Sequence, residues 1–242
     1  MGNVWIQVLR ADAKRIFKDP FMLLVTTYLP IMALAMRWLV PMLSEAVKKQ
    51  VHLPTYYPMI AMILCFILPH VFGLVLGLQM LGEKDENSLI AISVTPFSFR
   101  RYFFFQSAIF SGMGMILLIF SFFAMGLVSI PLWKLLLLTP VFGLNAPLGT
   151  LVLASVARNQ VEGFAVMKGS GFLFLAPMLS FFVPQHWDLL LGIFPYFWPI
   201  KGVYLAVSGG STLYFLATLA IGIVMQIVLI KFLYDRFVRT VY

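Results

Sequence analysis

The sequence predicts an all-α integral membrane protein with about six transmembrane helices, and the first reason is its composition. Of its 242 residues, 62% are hydrophobic and 11% are charged, and the mean hydropathy is +0.97. A soluble core of this size cannot bury that much apolar surface, so lipid must solvate a large part of the chain. A soluble domain is therefore excluded.

The second reason is a series of apolar runs close to the length that a helix needs to cross the hydrocarbon layer, about 20 residues. The six runs cover residues 21–43, 58–81, 102–130, 133–156, 169–183 and 213–234. The fifth run is short, and the half-apolar segment 184–211 that follows it contains several prolines and glycines. Such a segment is too broken for a spanning helix and is typical of an outer re-entrant or interfacial piece packed against protein.

The third reason is the distribution of basic residues between the two sides of the predicted helices. Twelve Lys and Arg residues lie on the side of the two termini, and four lie on the other side, namely Lys48, Lys49, Lys134 and Lys201. The positive-inside rule then places both termini in the cytoplasm, which agrees with an even number of helices.

The net charge of +8 has the same explanation, because cytoplasmic Lys and Arg face anionic lipid. We therefore expect a lipid bilayer around the chain and no nucleic-acid partner. Cys65 is the only cysteine, so neither an internal disulfide nor a cysteine-based metal cluster can form. No HExxH motif or pair of intramembrane acids occurs, and we expect neither a metal site nor catalytic residues.

The first 19 residues predict an amphipathic helix that lies along the membrane surface. Val4, Trp5, Val8 and Leu9 share one face, with polar residues opposite. Asp19 and Pro20 then break this helix, because Pro20 fits the first position of a new helix that Asp19 can cap. From its residues alone, the segment 1–19 is a surface helix that can serve as a simple membrane anchor.

The loop 83–101 is the most polar segment between two predicted spans. It begins with acidic residues and continues with an apolar stretch that ends at Thr95 and Pro96. Acids suit the positive end of a helix dipole, and Pro96 disfavours the helical conformation of Thr95. The pattern predicts a short amphipathic helix whose apolar face rests on lipid or docks into a groove of another protein.

Three features resemble the permease subunits of ABC-2 type ATP-binding-cassette exporters, and among those the drug-export permeases. These are the surface helix that ends in Lys-Asp-Pro at residues 18–20, the stretch EKDENSLIAISVTPFS after the second span, and the broken segment before the last span. The resemblance covers nearly the whole chain, as a single transmembrane domain over residues 1–242. It departs from the common family pattern in reading DENS where a Glu-Gly-Thr run is frequent.

The resemblance implies that segment 1–19 is instead a connecting helix on the cytoplasmic face, and that segment 83–101 holds a coupling helix that contacts a separate ATPase. It carries this role to Glu83, Glu86, Leu89, Thr95, Pro96 and Arg101. The chain contains no GxxxxGK[ST] phosphate loop, so ATP and Mg²⁺ are expected on a partner nucleotide-binding subunit. A second permease chain, identical or homologous, is also implied, in the cytoplasmic membrane of a prokaryotic cell. The predicted activity is export of a hydrophobic or amphipathic drug, antibiotic or lipid, and this chain is not itself an enzyme.

Four polar residues within the apolar runs are candidates for a substrate path: Arg37, His70, Gln79 and Asn145. Each also has a structural interpretation. Arg37 is close enough to the end of its span to reach lipid headgroups, and the other three are able to form hydrogen bonds between helices. Gly73 and Gly77 form a small-xxx-small pair that predicts close helix packing rather than a ligand site.

An ATP-independent secondary transporter or channel is the alternative function. Ion-coupled carriers usually place acids at the bilayer midplane. All nine acidic residues here lie at the ends of the predicted spans or in loops, which favours the ATP-driven exporter.

Overall fold

The computed structural model describes residues 20–89, 99–183 and 188–241. The described part contains nine α-helices and no strand. In chain order they are α1 (Pro20–Val47), α2 (Tyr57–Asp85), α3 (Phe99–Met125), α4 (Leu132–Gly143), α5 (Asn145–Val156), α6 (Gln160–Gly169), α7 (Leu175–Leu179), α8 (Phe197–Val207) and α9 (Thr212–Val241). Three 3₁₀ segments, Leu53–Tyr56, Ser170–Phe174 and Asp188–Ile193, connect them. The predicted surface helix 1–19 lies outside the described residues.

The described helices form a bundle with α2, α4 and α5 at its centre. Five segments are long and apolar enough to cross a membrane: Met22–Val47, Leu53–Asp85, Phe99–Met125, Leu132–Val156 and Thr212–Arg239. The outer helices α1, α3 and α9 expose large apolar side chains such as Trp38, Phe120 and Val228. A stable fold exposes this much apolar surface only where lipid or another apolar partner covers it. The all-α class predicted from composition is thus confirmed for the described part of the chain.

The run 169–183 is not one of these five helices, although the sequence predicted a span there. Its residues fall instead at the end of α6, in the 3₁₀ segment Ser170–Phe174 and in the five-residue helix α7. Pro177 has no N–H to bond the carbonyl four residues earlier, which weakens the backbone ladder at this point. Gly169 and Gly171 add conformational freedom to the same stretch.

The run 102–130 is helical only as far as Met125. Gly126 adopts a φ of +60°, and its N–H donates to the Phe122 carbonyl at 3.3 Å. A glycine in this left-handed conformation is a frequent end of a helix, because no Cβ opposes it. The structure thus places the end of α3 five residues before the end of the apolar run.

The fourth span is interrupted at Leu144, between α4 and α5. Pro147 lies one turn after Gly143 and has no N–H for the Gly143 carbonyl. The Ser111 hydroxyl of α3 donates to that carbonyl at 2.9 Å. A side chain from a neighbouring helix therefore satisfies the backbone group that the proline leaves open, as membrane helices require.

Close packing of α2 against α5 confirms the interpretation of the small-xxx-small pair. A Cβ on Gly73 would overlap the backbone of Ala146, and one on Gly77 would lie 2.9 Å from Leu153 Cδ2. The Thr150 hydroxyl approaches both the Gly73 carbonyl, at 2.8 Å, and the Ala146 carbonyl, at 2.9 Å. The two helices therefore meet backbone to backbone, which only small residues permit.

Residues 184–187 of the predicted broken segment 184–211 lie outside the described part. After them come the 3₁₀ segment Asp188–Ile193 and the 11-residue helix α8, most of which is buried against protein.

Two buried lysines contact aromatic rings. Lys201 of α8 lies over the rings of Phe197 and Tyr214, 5.3 and 5.7 Å from their centres. Lys134 of α4 lies over Trp133 and Phe215 in the same way. Both lysines are buried, and these aromatic faces help to stabilise their charge.

Candidate functional site

A hydrogen bond between α2 and α3 joins the two ends of the predicted coupling segment. The Tyr102 hydroxyl, in the first turn of α3, lies 2.8 Å from Glu83 Oε1 and 2.7 Å from Glu83 Oε2. Glu83 is in the last turn of α2 and is only 9% exposed. We call this end of the bundle, marked by Glu83, Tyr102 and Gln160, the loop end. The bond fixes the two ends of the connection between α2 and α3 to each other.

A second contact at the loop end joins α2 to α6. The backbone N–H of Gln160, the first residue of α6, donates to Asp85 Oδ2 at 2.9 Å. The Gln160 side chain donates through Nε2 to the Leu78 carbonyl at 3.4 Å. An acid at this position satisfies a backbone N–H that has no partner inside its own helix, and it suits the helix dipole. At the loop end, polar side chains of α2 therefore connect this helix to both α3 and α6 by hydrogen bonds.

The start of α6 carries its own cap. Asn159 Oδ1 accepts the Glu162 N–H, and Glu162 Oε2 accepts the Arg158 N–H, both at 2.9 Å. This reciprocal arrangement resembles a capping box, in which an acid in the first turn returns to the chain before the helix. Glu162 thus has a structural role that holds the α5–α6 turn in place.

The residues predicted to couple to an ATPase fall into three groups. Glu86 and Arg101 are exposed at the loop end, where a partner protein can reach them. Leu89 is fully buried in the core of this chain, so it positions the segment and has no exposed surface to offer. Thr95 and Pro96 lie outside the described residues, and their predicted role stays a prediction.

The four substrate-path candidates differ in their exposure and in their surroundings. Arg37 is exposed on α1 and lies against the turn at Gly126, where an added Cβ would be 3.3 Å from its Nη1. His70 is 1% exposed and packs between Phe66 and Tyr196, with ring centres 5.0 and 5.7 Å away. Gln79 is half-buried on α2.

Asn145 forms a polar pair that the sequence analysis missed. Gln226 Nε2 of α9 donates to Asn145 Oδ1 at 3.0 Å, and both side chains are 0% exposed. Asn145 Nδ2 and Gln226 Oε1 have no hydrogen-bond partner among the described residues. The pair connects α9 to the start of α5, which supports the interhelical interpretation of Asn145. Gln226 lies inside the last apolar run, where a polar side chain is unusual, so the sequence does mark it as a candidate for a polar contact.

The described residues include no group of three or more His, Cys, Asp or Glu side chains that could hold a metal ion. The polar side chains of the bundle are instead paired or packed one by one, as at Glu83 and Asn145. Such an arrangement stabilises and positions helices.

Long apolar helices around a buried centre define a multi-pass membrane protein, and sequence comparison gives its family. The chain belongs to the family described as "Fluoroquinolones export permease protein Rv2686c-like", which matches residues 12–234. Two relatives in Mycobacterium tuberculosis are named fluoroquinolones export permease protein: MT2760 of strain CDC 1551 / Oshkosh and Rv2686c of strain ATCC 25618 / H37Rv. Each is 25% identical over 235 residues, which cover 94% of this chain and 91% of the relative. No solved structure matches the chain significantly. The predicted resemblance to a drug-export permease is thus confirmed.

Proposed function

We propose that this chain is the membrane-spanning subunit of an ATP-driven exporter that removes amphipathic drugs, including fluoroquinolones, from the cell. Membership of a fluoroquinolone export permease family is the observation that carries this proposal. The proposal includes an ATPase on a separate subunit, which would bring ATP and Mg²⁺, since the sequence holds no phosphate loop. It also includes a second permease chain and a place in the cytoplasmic membrane with both termini inside.

The loop end supports the coupling part of the proposal. A segment that transmits force from an ATPase must be fixed to the helices that it moves. Glu83 and Tyr102 join α2 to α3, and Asp85 and Gln160 join α2 to α6. A push on segment 83–101 would therefore reach three helices as one body, and α2 would carry it to α5 through their backbone contact at Gly73.

The first experiment is purification of the tagged chain from its native membrane in mild detergent, with identification of the copurified proteins and an assay of ATP hydrolysis. We expect an ATPase in roughly stoichiometric amount. Glu86→Lys should remove it, because this exposed acid lies where the partner would bind. Glu45→Lys is the matched control, since Glu45 is an exposed acid at the end of α1, remote in sequence from the coupling segment.

Drug accumulation in whole cells separates the ATP-driven exporter from the alternative carrier. We expect norfloxacin efflux to stop when ATP is depleted and to continue when only the proton gradient is collapsed. The reverse result, together with a chain that purifies alone, would replace the ATP-driven exporter with an ion-coupled transporter.

A further inference from the structure

A cavity of about 560 Å³ opens on the side of the bundle, between α3, the α4–α5 junction and α9. Its volume is within the range of small-molecule sites, about 300–1,000 Å³. None of the four sequence-predicted path residues lines it within the described part of the chain, although Leu144 and Ile227, which do, directly adjoin Asn145 and Gln226. Exposed lining residues such as Phe104, Ala108 and Ile227 show that the cavity opens towards the lipid-facing surface.

The wall of this cavity has two stacked aromatic rings. Phe104 and Tyr234 lie with ring centres 5.9 Å apart and planes 29° from parallel. The Arg100 guanidinium lies 5.9 Å from the centre of the Phe104 ring. Tyr234 also stacks on Phe99. Phe104 is 47% exposed, so a flat aromatic ligand can extend this group of rings at Phe104.

A buried hydroxyl in the wall, that of Ser107, has no hydrogen-bond partner among the described residues. Ser107 is 4% exposed, and its Oγ makes no hydrogen bond to any described residue. Ser111, one turn further along α3, also lines the cavity but donates to the Gly143 carbonyl. Buried polar groups normally have a hydrogen-bond partner. The Ser107 hydroxyl is therefore available to a ligand that enters the cavity.

The mouth of the cavity carries charges of both signs. Arg100, Lys231 and Asp235 line it near the loop end and are exposed. None of the three forms an ion pair with another residue that the structure describes. Two cations and one carboxylate within a single mouth match a ligand that carries an anionic group and a cationic group.

We propose that this cavity is the binding site for a flat aromatic zwitterion, a molecule with both a carboxylate and an amine, which enters from the bilayer. The inference rests on the proposed function and identifies where the exporter receives its substrate. Phe104 and Tyr234 contact the ring system, Arg100 and Lys231 contact the carboxylate, and Asp235 contacts the amine. Ser107 donates to a carbonyl or carboxylate oxygen. An anionic phospholipid fits less well, because Asp235 would repel its headgroup and the stacked rings match no part of an acyl chain.

Binding of two fluorescent quinolones to the purified complex tests this assignment. Norfloxacin carries a carboxylate and an amine, whereas nalidixic acid carries only the carboxylate. We expect Asp235→Asn to weaken norfloxacin binding about tenfold, since a hydrogen bond to a charged group contributes about that much. Nalidixic acid binding should not weaken and should become tighter, because Asp235 no longer repels its carboxylate. Arg100→Gln should weaken both ligands. Arg236→Gln, an exposed neighbour of Asp235 outside the cavity, is the matched control and should change neither.

Protection of an engineered cysteine tests the location independently. Cys65 is the only native cysteine and is 2% exposed, so a new surface cysteine is the reactive one. We expect norfloxacin to slow maleimide labelling of Ala108→Cys in the cavity and not that of Val224→Cys, an exposed position of α9 outside it. Equal labelling with and without norfloxacin would overturn the inference, as would protection by phosphatidylglycerol alone.

The two proposals fail in different ways. If the wild-type complex exports norfloxacin at the expense of ATP and the cavity variants bind it normally, the cavity is the wrong site and the exporter stands. If the wild-type complex neither binds nor exports norfloxacin, both proposals are overturned for this class of drug.

Discussion

The hydroxyl of Tyr102 donates to the carboxylate of Glu83 across the base of the loop that connects α2 and α3. The two residues are 19 positions apart in sequence, and the bond brings the end of one spanning helix to the start of the next. Glu83 is buried, so its side-chain oxygens need hydrogen-bond partners within the protein. Any movement of the connecting segment must therefore act on α2 and α3 together or break this bond.

If the loop end transmits force as proposed above, Tyr102→Phe should reduce transport while the chain still folds. The substitution removes one hydroxyl and leaves the buried Glu83 carboxylate without that donor, which costs about 1.5–3 kcal/mol for a charged acceptor. We expect reduced norfloxacin efflux and a lower melting temperature of the purified chain. Tyr28→Phe, an exposed tyrosine of α1, is the control and should behave as wild type. Normal efflux by Tyr102→Phe would show that the bond plays no part in coupling.

Glycines at the α2–α5 contact should tolerate substitution in a definite order. A Cβ at Gly73 would overlap the Ala146 backbone, whereas one at Gly77 mainly meets the flexible side chain of Leu153. Overpacking of this kind costs about 1–3 kcal/mol, and more where the backbone itself must move. We expect Gly73→Ala to reduce thermal stability most and Gly77→Ala less. Gly112→Ala in α3, where the Cβ meets nothing within 4 Å, should be neutral or stabilising. Equal effects at all three positions would contradict the packing that we describe.

The buried amide pair predicts a measurable coupling between α5 and α9. Replacing Gln226 by Leu leaves the Asn145 amide without its observed partner, and hydrogen bonds between membrane helices are worth about 0.6 kcal/mol on average and about 1.7 at most. We therefore expect each single change, Asn145→Leu or Gln226→Leu, to lower stability, and the double change to lower it less than the sum of the two. Thermal unfolding of the four proteins in one detergent measures this difference. Additive losses would show that the pair contributes no interaction energy.

Composition and run length are sufficient to predict the fold class, because both follow directly from the solvent that the helices need. The close packing of α2 against α5 at Gly73 and Gly77 was also predictable, since small residues at that spacing indicate close packing. The bond between Glu83 and Tyr102 was not, because it depends on how α2 and α3 meet, and sequence spacing does not show this. Leu89 was predicted as a partner contact, but its side chain is buried within this chain. The sequence does not distinguish these two roles, because an apolar residue in a short loop segment can pack in its own core or against another protein.

The cavity beside α3 was not predictable from local sequence for a related reason. Ser107 and Ile227 come from α3 and α9, and Leu144 from the junction between α4 and α5, and no pattern in any one of these segments marks a ligand site. Gln226 differs, because a glutamine within an apolar run is a recognisable polar anomaly. The run 133–156 contains Pro140 and Pro147, and only the tertiary structure shows that Ser111 compensates for one of them.

This compensation gives a prediction in which one substitution relieves another. Ser111→Ala removes the donor to the Gly143 carbonyl, and an unsatisfied buried carbonyl costs about 1–3 kcal/mol. Pro147→Ala restores an N–H at the position that normally bonds Gly143 in a continuous helix. We therefore expect Ser111→Ala to reduce thermal stability clearly in the wild-type background and much less in the Pro147→Ala background. Ser180→Ala, which removes a hydroxyl that donates only to the Pro177 carbonyl of its own turn at 2.6 Å, is the control and should give the same small loss in both backgrounds. If Ser111→Ala is equally damaging with and without Pro147, the hydroxyl does not act on the carbonyl that the proline leaves open.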